Sequence, residues 1–66
     1  MTLILNGESF EWDGQGALLE LLASIGSKPD QVAVMVNDEV VVKSDRAGCR
    51  LRQGDRVEVL IFAGGG

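Results

Sequence analysis

The residues whose chemistry stands out are Gly64-Gly65-Gly66, set directly behind a strand-like run at the end of the sequence. Three glycines in succession build no core, no helix cap and no turn between two elements. Read as a free end, they are expected to offer a thin peptide with an exposed carboxylate at Gly66. A carboxylate is a poor acylating agent, because its charge deters nucleophiles. Joined to AMP it becomes a mixed anhydride with a good leaving group, which a sulfur or other nucleophile displaces. That activation needs a narrow, water-excluding site on another protein. Glycine suits entry, because a residue without Cβ passes a tight channel and leaves its carbonyl unhindered. At up to ~3.3–3.6 Å per residue, an extended tail of three or four residues reaches on the order of 10–14 Å beyond the domain body. The pattern points to a handle that enzymes grip, not to an enzyme.

Catalytic signals elsewhere are weak. The chain has no histidine, so the usual general base and triad partner are missing. Ser9, Ser24, Ser27 and Ser44 have no base at a telling spacing. The single cysteine, Cys49, reads as a small half-buried apolar residue and not as a nucleophile. With no second cysteine and no histidine, this sequence forms neither an internal disulfide nor a zinc site of the usual Cys/His kind. Asp38-Glu39 and the other acids read as solvated surface. Gly14-x-Gly16 lacks the third glycine and the βαβ setting of a dinucleotide fold, and the Lys-Ser/Thr of a P-loop. It is expected to be a turn with glycine at a helix N-cap.

Composition narrows the partners. Sixty-six residues make one domain, near the lower end of what folds alone. A core of this size supplies roughly 3–5 kcal/mol of net stability. Ten acidic against six basic residues give a net charge of −4, which repels phosphate backbones and argues against nucleic-acid binding. With two Phe, one Trp and no Tyr, a base-stacking platform is not expected either. No apolar run is long enough to span a bilayer, and no signal-peptide pattern opens the sequence, so a cytoplasmic domain without membrane contact is expected.

These residues must be positioned by a small set of elements. Thr2-Leu3-Ile4-Leu5 and Glu8-Ser9-Phe10-Glu11-Trp12 flank Asn6-Gly7, a strong signal for a hairpin with a type I′ turn. Leu18, Leu21, Leu22 and Ile25 follow the i, i+3, i+4, i+7 stripe of a helix packed on one side, closed by Gly26 with Pro29 beyond. Leu19 lies off that stripe and is expected to be partly exposed. Val32-Ala33-Val34-Met35-Val36 reads as a buried strand, Asn37-Asp38 as a turn, and Glu39-Val40-Val41-Val42 as the returning strand. From Ser44 to Arg50 there is no clear period, and Ser44 is a candidate cap for a single helical turn. After Gln53-Gly54-Asp55 comes a last strand from Arg56 to Phe62. Its alternation places Val57, Val59 and Ile61 toward the helix and Glu58, Leu60 and Phe62 on the opposite face. The order β-β-α-β-β-link-β is an α+β fold, a mixed sheet of about five short strands with one main helix on one face. The domain is expected to run over residues 1–62. Residues 63–66 are expected to form a flexible tail, because nothing in them can be buried to offset an ordering entropy of roughly 1–2 kcal/mol per residue.

The whole chain resembles the bacterial sulfur carrier family of thiamine biosynthesis, ThiS. The resemblance rests on the Asn6-Gly7 hairpin, the helix Ala17-Leu18-Leu19-Glu20-Leu21-Leu22, and the strand and turn Val34-Met35-Val36-Asn37. Its specific part is Gly54-Asp55-Arg56-Val57-Glu58 followed by a Gly-Gly terminus. The resemblance implies a β-grasp, ubiquitin-like fold. It implies that Gly66 is adenylated by a ThiF-like enzyme using ATP and magnesium, then converted to a thiocarboxylate, with a further enzyme as sulfur donor. The thiocarboxylate would deliver sulfur to a ThiG-like thiazole synthase. No cofactor is expected to be bound by the chain itself. Gly65 matches the second glycine of the motif, with Gly64 an added spacer and Ala63 completing the tail. Gly16 stands where many members carry Thr or Ser, which weakens the helix cap but leaves the terminus untouched. The small subunit of molybdopterin synthase and carriers for tRNA thiolation or cysteine synthesis have the same ending, so another sulfur pathway stays open. So does a ubiquitin-like interaction module with an inert tail. Leu60 and Phe62, with Glu58 setting orientation, are expected to form a docking patch beside the tail.

Overall fold

The computed structural model describes residues 1–61, with Pro29 described by its backbone alone. Strands β1 (Thr2–Leu5) and β2 (Glu8–Glu11) form the opening hairpin. Asn6 and Gly7 take φ of 50° and 83°, the two positive values that a type I′ turn requires. Helix α1 (Leu18–Ser24) follows, then β3 (Val32–Val36), β4 (Glu39–Val40) and β5 (Arg56–Ile61). Short 3-10 segments at Pro29–Gln31 and Lys43–Gly48 join α1 to β3 and β4 to β5. The sheet order is β2-β1-β5-β3-β4. β1 and β5 run parallel, and the other neighbours are antiparallel. The expected mixed sheet with one helix on one face is the observed architecture. The last strand sits in its middle.

α1 buries Leu18, Leu21 and Leu22 against Leu3, Val34, Val57 and Val59 of the sheet. Trp12 and Leu51 belong to the same buried cluster, and Ile25 and Phe10, partly buried, pack against it. Truncating one of the fully buried leucines removes about 2–5 kcal/mol, comparable with the whole net stability of so small a domain. Gly26, at φ 76°, ends the helix. Its N–H donates to the Ala23 carbonyl, and the Ser27 N–H to that of Leu22, the paired bonds of a Schellman stop. Leu19 is exposed, as its place off the stripe requires.

Four local expectations are corrected. The helix N-cap is Ala17, not Gly16. Gly16 has φ of 104° and lies against the Leu51 carbonyl, which a Cβ would meet at 2.9 Å. Its own carbonyl accepts the Leu51 N–H at 2.6 Å, so glycine is needed for a close backbone crossing and not for capping. β4 has two residues, because the backbone turns into the 3-10 segment once Val41 has donated to Val34. Val42, not Ser44, caps that segment. Ile61 is 70% exposed although it shares the face of Val57 and Val59. β1 makes its last pairing with β5 at Leu5 and Val57, so residues 58–61 run on without that neighbour and Ile61 lies beyond the core.

Candidate functional site

The outgoing end of β5 is the candidate site, because it is the described element nearest in sequence to the glycines. Gly66, Gly65, Gly64, Ala63 and Phe62 lie outside the described residues. The described part of the proposed patch is Glu58 and Leu60, both exposed, Leu60 at 58%. Register shows what surrounds them. Ala33 pairs with Leu60, Met35 with both Glu58 and Val40, and Ile4 with Arg56. Paired residues share a face. The face away from α1 therefore carries Ile4, Ala33, Met35, Val40 and Leu60, with Arg56 and Glu58 set among them. Arg56 is held to Asp38 by an ion pair at 2.8 Å, both side chains exposed. Leu60 and Glu58 thus stand together as the alternation requires, and Ile4, Met35 and Val40 enlarge the patch through pairings that single strands do not reveal.

Two asparagines hold β5 in place. Asn6 Oδ1 accepts the Val59 N–H at 2.8 Å, standing in for the next backbone carbonyl of β1. Asn37, at φ 51° in the β3–β4 turn, accepts the Arg56 N–H on Oδ1 at 2.9 Å. Its Nδ2 donates to Asp55 Oδ1 at 3.1 Å, and its backbone N–H to the Arg56 carbonyl at 2.7 Å. A short polar side chain tolerates positive φ and bonds locally, so each asparagine serves both as a turn residue and as a clamp. The sequence marked both as turn residues. Their second role depends on a strand far along the chain.

A further residue missed in the sequence is Arg46, buried to 6% exposure in the second 3-10 segment. Its Nη2 donates to the Val32 carbonyl at 2.8 Å and its Nε to that of Val41 at 3.4 Å. It ties the start of β3, opposite Ile61, to the segment behind β4.

Cys49 is half-buried against the core. It lines a shallow groove of about 550 Å³ with Val36, Asn37, Val41 and Asp55. The groove sits at the start of β5, remote from Ile61. Burial, and then the charge of Asp55, push the Cys49 thiol upward, so it stays protonated and weakly nucleophilic. On the exposed surface, a hydrogen bond from Lys43 and its charge hold the Asp30 carboxyl below the usual carboxylate range.

A five-stranded mixed sheet crossed by one helix defines a β-grasp domain of the ubiquitin-like class. A family model described as the ThiS family matches residues 3–66, and the chain belongs to that family. Among solved structures it resembles the crystal structure of the thiamine biosynthesis protein ThiS from Geobacter metallireducens. That match has a TM-score of 0.83 and 33% identity, over the whole of both chains. A solution structure of a thiamine biosynthesis protein from the same organism gives a TM-score of 0.81 at 33% identity, over all of this chain and 88% of that one. Thiazole synthases of Paramagnetospirillum magneticum and Magnetococcus marinus are each 36% identical across all 66 residues of this chain. The chain spans about a fifth (20%) of the length of these curated relatives. No helix among the described residues is long and apolar enough to cross a membrane.

Proposed function

We propose that this chain is a sulfur carrier of thiamine biosynthesis and that the Gly66 carboxylate is its reactive group. The observation that carries the reading is the family match through residue 66, ending on the glycine run that follows the central strand. A ThiF-like enzyme, using ATP and magnesium, adenylates Gly66: a carboxylate oxygen bonds to the α-phosphorus, and pyrophosphate leaves. The outer sulfur of a persulfide on a donor enzyme then attacks the acyl carbon and AMP leaves, forming an acyl disulfide. A thiol, the reductant, attacks the donor's inner sulfur and breaks the S–S bond, so the thiocarboxylate leaves and the donor is left as a disulfide. The chain contributes the acyl group and its presentation, and its partners contribute the chemistry. The thiazole synthases similar to this chain favour a ThiG-like synthase as the acceptor, over molybdopterin or tRNA thiolation.

Presentation falls to β5 and the open face. Leu60, with Ile4, Met35 and Val40, supplies apolar anchors within a rim that includes Glu58 and Arg56. Phe62, next in sequence to Ile61, is assigned to the same docking role, and Ala63, Gly64 and Gly65 to recognition of the segment that ends at Gly66. The test is ATP–pyrophosphate exchange with a ThiF-like enzyme. Exchange should depend on this chain and vanish when Gly66 is deleted. Exchange that persists at full rate without Gly66 contradicts the assignment, and no exchange with the intact chain favours an inert tail.

A further inference from the structure

The backbone of β5 has one side left open just before the tail. The Asp55 and Val57 carbonyls accept from Ile4 and Asn6, each at 2.9 Å, and the Val59 N–H donates to Asn6 Oδ1 at 2.8 Å. Odd-numbered residues of this segment therefore turn their peptide groups toward β1. Even-numbered ones face β3, as in the bond from Asn37 N–H to the Arg56 carbonyl and the pairing of Ala33 with Leu60. Asn6 is where β1 turns away. Beyond it, among the described residues, nothing pairs with the Val59 carbonyl or with the peptide N–H and C=O of Ile61 on that side. The side chains there are apolar on both faces, with Leu60 58% and Ile61 70% exposed. An exposed apolar strand edge is a template for another strand and a liability unless something covers it.

We propose that the edge formed by residues 59–61 docks an extended backbone segment of the adenylating enzyme, which adds to the sheet in the place β1 vacates. This rests on the reading of Gly66 as the activated group. Residues 62–66 span at most about 18 Å when extended, so an enzyme that holds the Gly66 carboxylate must approach Ile61 to within that distance. A glycine run offers a partner only peptide groups, and strand addition recognises peptide groups by hydrogen bonds. Ile61 supplies one donor and one acceptor on the open side, immediately before the tail in sequence. The Asn6 side chain blocks the ladder from running further back, so the register of the added segment starts at the Val59 carbonyl. A second copy of the chain is a poorer occupant, because each carries a net charge of −4.

The backbone nature of the contact gives a specific test. Ile61→Pro removes the N–H that faces the open edge and leaves the β3 ladder intact, since proline is tolerated on edge positions. Ile61→Ala removes the side chain and keeps the N–H. With a ThiF-like enzyme and ATP, Ile61→Pro should raise KM for the carrier about tenfold over Ile61→Ala, the scale of one lost peptide hydrogen bond with its partner left unsatisfied. Circular dichroism and thermal unfolding of the two variants establish that both fold. In the wild-type complex, hydrogen exchange at the Ile61 amide should slow relative to the free chain. This second readout decides the matter if the proline variant does not fold. Equal KM for the two variants, or unchanged exchange at Ile61, overturns the docking edge while leaving Gly66 activation standing. Absence of adenylation of the wild type overturns both. Sedimentation showing a dimer that Ile61→Pro dissolves assigns the edge to a second copy and overturns the proposal.

Discussion

Asn6 and Val59 are joined by a hydrogen bond of 2.8 Å from the Val59 backbone N–H to the Asn6 side-chain carbonyl, across 53 positions of sequence. Among the described residues, the bond makes the tip of the first hairpin the last tie on that side of β5. Asn6→Ala should remove it, strand the Val59 N–H in a partly buried place and put a Cβ-bearing residue without local bonding at φ 50°. The cost should be about 1–3 kcal/mol, read from urea unfolding, with faster exchange at the Val59 amide. Stability within about 0.5 kcal/mol of wild type, the range of ordinary surface substitutions, would show that water replaces the asparagine without loss.

Gly14 lies on the ring of Trp12. A Cβ there would meet the ring Cζ2 at 2.0 Å and Glu20 Oε1 at 2.5 Å. Gly14→Ala should push the indole off its bond to Ser24 Oγ, 3.2 Å from Nε1, and strain the core margin by about 1–3 kcal/mol. Trp12 is the sole tryptophan, so its fluorescence reports the displacement directly. An unchanged spectrum and an unchanged melting temperature would contradict the packing described.

Arg46→Met keeps most of the apolar stem and removes the guanidinium that bridges the Val32 and Val41 carbonyls. The loss should be about 1.5–3 kcal/mol, the range for bonds to charged groups. Exchange should quicken at the start of β3 before it does in the β1–β2 hairpin. A stability equal to wild type would show that this buried cation is dispensable.

Cys49 gives a pH dependence with a definite sign. Burial raises its folded pKa above the ordinary value of 9.0, so the thiol form is favoured in the folded state. The resulting stability is fully present below the unfolded pKa and is lost as pH rises through the folded one. The stability difference between wild type and Cys49→Ala should therefore shift against wild type above about pH 9. A difference that stays flat across the alkaline range would contradict the burial effect.

Much of this fold is legible in the sequence because its signals are local. Asn6-Gly7 fixes a turn through φ alone, the leucine stripe fixes the buried face of α1, and Gly26 fixes its end. The features that escape are set by neighbours distant in sequence. Ile61 alternates like a core residue, but its burial depends on where β1 stops. Gly16 looks like a cap residue until Leu51 is seen against it. Arg46 falls in the stretch from Ser44 to Arg50 that has no clear period, and it is buried against carbonyls from β3 and from the chain after β4. For the site, Leu60 and Glu58 follow from alternation along β5, whereas Ile4, Met35 and Val40 join them only through cross-strand register.

The central claim is that sulfur is carried on the Gly66 carboxylate. Mass spectrometry of the C-terminal peptide measures it most directly, after the chain is incubated with a ThiF-like enzyme, ATP and a sulfur source. The account predicts a peptide in which one carboxylate oxygen of Gly66 is replaced by sulfur, with the Cys49 peptide unchanged. Sulfur found on Cys49, or an unmodified Gly66 while the enzyme turns over ATP, would contradict it.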